Sequence, residues 1–335
     1  MSNEEPSGAR DKKRAGSPME TYFRNITVLN QALGESDEPF QDSHAAPQTG
    51  AVAARERAVL WLGCNVLRTP HLAQLAVKVL RLVNPELSVL GGADHCCGSP
   101  MQEKGDRERA LSKTIGDFQA ERVPTLVSWC PSCHTNLRKG SDPASWGFEE
   151  LHITEFIARH LERLELRPRL SARLMLHGHT GAPDRDRDMA YCRRLLNAIP
   201  GVAIVAEQAD ADLGLHCVPM LVAPRIGVDA FEHKLKALLT RAREAGAETI
   251  VTIYHSCYRE LEKRLSLDGL VIENYITLFA KALDLPVPAN VYRELAHGGS
   301  ARFDQLLSDA EKRGIDRAEL ERAVKAEFPP APRSS

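Results

Sequence analysis

The chain has 335 residues, enough for two domains with cores of their own plus tails. Its 43 basic and 45 acidic residues leave a net charge of −2, and only 5 % of residues are aromatic, which argues against a basic nucleic-acid surface or a stacking platform for bases. No apolar run approaches the ~20 residues of a transmembrane helix, and MSNEEPSGARDKKRAG lacks the apolar stretch of a secretory signal, so a cytoplasmic, reducing setting is expected.

Residues 1–55 are rich in Ser, Gly, Pro, Ala and charge and read as a largely disordered, flexible N-terminal segment. One short helix is expected within METYFRNITVLNQAL (19–33), and the charge run Arg10–Arg14 reads as solvated. AVLWLG (58–63) reads as a buried strand. PHLAQLAVKVLRLV (70–83) reads as a helix with Pro70 near its first turn. LSVLGG (87–92) is a second strand, DRERALSKTIGDFQAER (106–122) a helix and TLVSW (125–129) a third strand. ITEFIARHLERL (153–164) follows as an amphipathic helix, with Thr154 its expected N-cap.

The order then repeats. ARLMLHG (172–178) reads as a strand, DMAYCRRLLNAI (188–199) as a helix and GVAIVAE (201–207) as a strand. AFEHKLKALLTRAREAG (230–246) is a helix ending at Gly246, TIVTIY (249–254) a strand, and ENYITLFAKAL (273–283) closes this half as ITEFIARHL closes the first. Strands alternating with helices imply an α/β class with parallel sheets, and the repeat implies two tandem related domains, 56–166 and 167–285. Residues 286–335 form a helical C-terminal extension and tail.

Five of the eight cysteines lie in the first half: Cys64, then thirty-one residues to Cys96-Cys97, then thirty-two to Cys130-Pro-Ser-Cys133. Cys64 and Cys130 each follow an expected strand, and the carboxyl ends of parallel strands share one edge, so the thiols can converge there. Pro131 restrains the CPSC turn, while Gly63 and Gly98 allow close backbone approach. Five thiols exceed the four of a tetrahedral zinc, and adjacent cysteines suit a multinuclear iron–sulfur cluster, whose iron atoms lie apart. Zinc and small buried apolar residues are the alternatives. Arg68, Lys104, Arg138 and Lys139 are candidate countercharges for several thiolates.

LGC64, HCC97GSP and SWCPSC133 resemble the cysteine-rich CCG domain typified by the cysteine-rich subunit of heterodisulfide reductase and found in lactate- and glycolate-oxidising iron–sulfur subunits. The resemblance covers about residues 57–283. It implies a tandem CCG-type fold and Cys64, Cys96, Cys97, Cys130 and Cys133 as ligands of an iron–sulfur cluster, a non-cubane [4Fe–4S] cluster, with zinc as the alternative. It also implies an electron-transfer subunit of a heterodisulfide reductase-like oxidoreductase complex, working with flavoprotein or ferredoxin-type partners. A thiol/disulfide reductase and a zinc-stabilised scaffold or interaction protein are the other readings. No CxxCxxC run, nucleotide fingerprint or nucleophile elbow is present.

The second half departs from this pattern. HGHTG (177–181) carries no cysteine, His216-Cys217-Val218 stands in place of Cys-Cys-Gly, and Tyr254 stands where Cys130 has its counterpart. Three readings remain. His177, His179, His216, Cys217, His255 and Cys257 could form a mixed site for zinc or one iron, line an empty cleft beside Tyr254, or offer a redox thiol. Cys192, within a helix, reads as a core residue, and DRDRD (184–188) as a solvated helix start.

Overall fold

The computed structural model describes residues 17–34, 57–122, 124–168, 170–209, 217–264 and 269–329. The helix expected near 19–33 is α1 (Pro18–Leu33), closed at its start by a Ser17/Glu20 capping box. The rest of the expected N-terminal tail, including Arg10–Arg14, lies outside the described residues.

The first half runs β1 (Ala58–Gly63), α2 (Pro70–Val83), β2 (Ser88–Gly91), α3 (Lys104–Glu121), β3 (Thr125–Ser128), α4 (Pro131–Gly140), β4 (Glu149–His152) and α5 (Ile153–Arg159). The second runs β5 (Ala172–Gly178), α6 (Pro183–Asn197), β6 (Val202–Ala209), α7 (Pro219–Ile226), α8 (Val228–Glu244), β7 (Thr249–Thr252), α9 (His255–Arg264), β8 (Val271–Asn274) and α10 (Tyr275–Ala282). The C-terminal extension adds α11 (Val291–His297), α12 (Gly299–Lys312) and α13 (Arg317–Glu327).

Each half holds a four-stranded sheet, and the two orders, β2-β1-β3-β4 and β6-β5-β7-β8, are the same. All the pairings are parallel, with Val59 opposite Leu126 in the first sheet and Leu176 opposite Val251 in the second. β1 is buried along its whole length, as befits a central strand covered on both faces. The fold class and the duplication are therefore as expected from the chain. Loops after β1 and after β3 leave the same rim of the sheet, at the point where the strand order reverses.

Two local expectations need correction. Thr154 does not cap α5: His152 does, its Nδ1 accepting from the Thr154 N–H at 3.4 Å, because the preceding residues form β4 and the helix begins two residues earlier. DRDRD does start a helix, but its face is not solvated: Arg185 and Asp188 are buried between the halves.

The halves pack reciprocally. α5 of the first lies on α6 of the second, and α10 of the second on α2 of the first. The two rims consequently face each other. Arg185 of α6 donates to the Pro131 carbonyl at 3.0 Å and to Thr135 Oγ1 at 3.2 Å, and its guanidinium lies over the Tyr254 ring. Outside this pair, α13 packs on α1, and Glu327 near its end is buried against Arg68, Arg259 and Lys263. No helix among the described residues is long and apolar enough to cross a membrane.

Candidate metal centre

The first-half cysteines are all buried, between 1 % and 5 % exposed, and none is in a disulfide. Cys64 follows β1, Cys96 and Cys97 lie in the loop after β2, Cys130 caps α4, and Cys133 sits in its first turn. The thiols neighbour one another in the order Cys64, Cys96, Cys97, Cys133, Cys130. Three separated loops thus deliver five sulfurs to one rim.

The loops are held by polar anchors and by missing side chains. Trp61 Nε1 donates to the His95 carbonyl at 2.8 Å, and Thr114 Oγ1 to the Cys96 carbonyl at 3.1 Å. The Asn136 amide donates to the Cys97 carbonyl at 3.4 Å and reaches its Sγ at 3.9 Å. Gly98 N–H donates to Cys96 Sγ at 3.3 Å. Gly63 has φ +69°, and a Cβ there would fall 2.8 Å from Cys133 Sγ. Only glycine leaves that space open while adopting this conformation.

Hydrogen bonds to neighbouring thiols, together with burial, push the Cys64 and Cys133 pKa values up, whereas a hydrogen bond from Cys133 pulls those of Cys97 and Cys130 down. Five thiols therefore do not ionise together here unless a multivalent cation joins them. That requirement, the number of sulfurs and the adjacent Cys96-Cys97 pair fit an iron–sulfur group.

The expected cationic neighbours separate. Arg68 is buried and lowers the Cys64 pKa, though its guanidinium is bound to Glu327 at 2.5 Å. Arg138 is paired with Glu150 at 2.9 Å, while Lys104 and Lys139 are exposed.

In the second half, His177, His179, Cys217 and Cys257 come together, their ligand atoms all within 4.8 Å of one another. His255 lies elsewhere. It sits beside Cys130 of the first half, lowers that thiol's pKa, and meets Trp129 edge-on at 6.1 Å. His216 lies outside the described residues. Cys192 is buried in α6, and its pKa is raised by burial, as for a core residue.

The profile of the cysteine-rich domain family, CCG, matches residues 58–138. That segment is similar to the CCG domain. All five cysteines lie inside it, and the resemblance read from LGC64, HCC97GSP and SWCPSC133 is borne out. A curated relative, a fumarate reductase (CoM/CoB) subunit of Methanothermobacter marburgensis, is 26 % identical over 223 residues, which cover 64 % of this chain and 43 % of that protein. The chain thus spans less than half of that relative.

Among solved structures, a hypothetical protein from Helicobacter pylori aligns at TM-score 0.48 and 10 % identity, covering 85 % of this chain and 57 % of that one. An Asp/Glu racemase from Yersinia pestis aligns at TM-score 0.30 and 13 % identity, covering 72 % and 98 %. Likenesses at this level bear on neither chemistry nor partners.

The residues that position the five-cysteine loops carry little signal in the chain. Asn136 stands three residues after Cys133 on the same helix, a spacing that puts both on one face and could have singled it out. Arg185 carried no such signal, since its bonds to Pro131 and Thr135 reach into the other half of the chain.

Proposed function

We propose that this protein is an iron–sulfur redox subunit of a heterodisulfide reductase-like oxidoreductase complex, relaying electrons between protein partners of flavoprotein or ferredoxin type in a cytoplasmic setting. One observation carries this reading: five buried thiols from three loops of a CCG-like segment meet at a single rim. The relative named as a reductase subunit supports it. In this reading residues 56–166 and 167–285 are the two domains and 286–335 the extension.

Cys64, Cys96, Cys97, Cys130 and Cys133 would hold the cluster, in this reading a non-cubane [4Fe–4S] group. When bound, that group supplies one-electron chemistry at a potential set by burial and hydrogen bonds to sulfur. The chain supplies the surroundings. Trp61, Thr114 and Asn136 hold the Cys96-Cys97 loop, and Gly98 N–H and the Asn136 amide point hydrogen bonds at sulfur. Trp129 and the facing second half exclude water, with His255 placed against Cys130.

Purification without air, followed by iron and acid-labile sulfide analysis and electron paramagnetic resonance of the oxidised and reduced protein, tests the reading. Iron and sulfide in comparable amounts with a redox-dependent signal are expected. A colourless protein with zinc at the five-cysteine site and no sulfide ends it.

A further inference from the structure

The second half has lost the thiols for a multinuclear cluster, yet its remaining donors are not scattered. His177 Nε2 lies 3.1 Å from Cys217 Sγ, His179 Nε2 lies 3.0 Å from Cys257 Sγ, and Cys217 Sγ lies 3.5 Å from His179 Nε2. All four side chains are at most 1 % exposed. They come from the three loops equivalent to those of the CCG-like segment: the end of β5, the segment before α7, and the first turn of α9.

We propose that His177, His179, Cys217 and Cys257 form a closed, four-coordinate site for a single Zn²⁺ ion. Zinc bonds of about 2.0–2.1 Å to imidazole and about 2.3 Å to thiolate put tetrahedral donors about 3.3–3.8 Å apart. These three separations, 3.0–3.5 Å, are close to that, and all four ligand atoms lie within 4.8 Å of one another, so loading calls for only a modest rearrangement of the donors. Two imidazoles with two thiolates are a borderline-soft set suited to zinc, and two thiolates leave the buried ion electrically neutral.

The same contacts select one ion over a cluster. Cys217 Sγ lies near both imidazoles and His179 Nε2 near both sulfurs, so the donors do not divide into two sets serving separated metals. Tyr254 occupies the position of Cys130 and stacks on His179, with ring centroids 6.0 Å apart and planes 24° apart. The phenol fills the volume that further metal and sulfide would need. Its hydroxyl is tied to Asp188 at 2.7 Å, so the ring is fixed in place.

With four buried protein donors the ion has no open position, and its role is structural. It would join the end of β5 and the loop before α7 to the first turn of α9. That helix also carries His255 against Cys130. The second copy on this view has exchanged a redox centre for a brace.

The test uses the full chain carrying its own metals. Zinc is counted per chain, and zinc-edge X-ray absorption of the wild-type protein reports its ligands. One zinc per chain with two nitrogen and two sulfur neighbours is expected. Cys217→Ser/Cys257→Ser should lose that zinc while the iron and sulfide of the five-cysteine site stay unchanged. The proposal is overturned if zinc-replete protein holds no such ion, if its shell is all sulfur, or if the double variant keeps the nitrogen-ligated zinc. Should the variant fail to fold, the wild-type absorption spectrum decides. Because iron and sulfide are measured separately, failure of this site is distinguishable from failure of the iron–sulfur reading.

Discussion

Gly63 shows how little room surrounds the sulfurs. Alanine there would set a methyl group against Cys133 Sγ in a backbone conformation that costs an L-residue about 1–2 kcal/mol. Gly63→Ala should therefore reduce iron and sulfide per chain more than it lowers the melting temperature, which metal analysis and calorimetry would separate. Glu150 supplies a different test. Burial raises its pKa, but the His134 imidazole at 2.7 Å, the Ser128 hydroxyl and Arg138 outweigh this and lower it from 4.5 to about 2. A depressed carboxylate stabilises the fold fully above its unfolded value, and that contribution is lost as pH falls through the folded one. Stability should thus decline between about pH 4.5 and pH 2. Glu150→Gln should flatten that part of the curve in acid-denaturation experiments. At this scale the five cysteines were legible in the chain because their spacing repeats a known pattern. The placement of His255 was not, since spacing cannot say toward which half a side chain turns.

Among the elements, α13 is fastened through a buried ionic cluster. Glu327 accepts from Arg68 and Arg259, ion-pairs with Lys263, and takes the Tyr292 hydroxyl at 2.7 Å, all in the interior. Removing its charge would leave buried cations unpaired, a change that typically costs about 3–5 kcal/mol. Glu327→Gln should lower stability by that order in denaturant melts. Arg24→Ala, which breaks the exposed pair to Glu319 at the other end of the same helix, should cost at most about 1 kcal/mol. The long elements were readable from hydrophobic period: α2 and β1 fall where the pattern puts them. The four-residue strands β4 and β8 were not, because each runs directly into an amphipathic helix and merges with its signal. Of α4, only the opening CPSC turn is legible in the chain; the helical run on to Gly140 is not, since a short helix that opens on Pro-Ser-Cys looks like a ligand loop.

For the whole molecule, the junction between the halves is polar at its centre. Arg185 touches the Pro131 carbonyl, Thr135 and Tyr254, while Asp184 faces His134 at 3.2 Å and Asp188 faces His152 at 3.4 Å. Replacing Arg185 by Ala would leave Asp188 and the Pro131 carbonyl without this donor in a dry region. Amide hydrogen exchange should then accelerate in α4 and the start of α6 before it does in the sheets, and unchanged exchange there would count against the junction's role. The duplication could be read from the alternation of strands and helices, but the docking of the halves could not. It depends on pairs such as Tyr191–Glu155 and Arg185–Pro131 that no local pattern announces.

The reciprocal seating of α5 on α6 and of α10 on α2 carries one more consequence. Each lobe is the other's missing wall, so severing the backbone in the stretch 165–171 should yield two fragments that recover a native assembly only when mixed. The amino-terminal fragment alone, with Trp129 and Cys130 stripped of their cover, should bleach in air far sooner than the reunited pair.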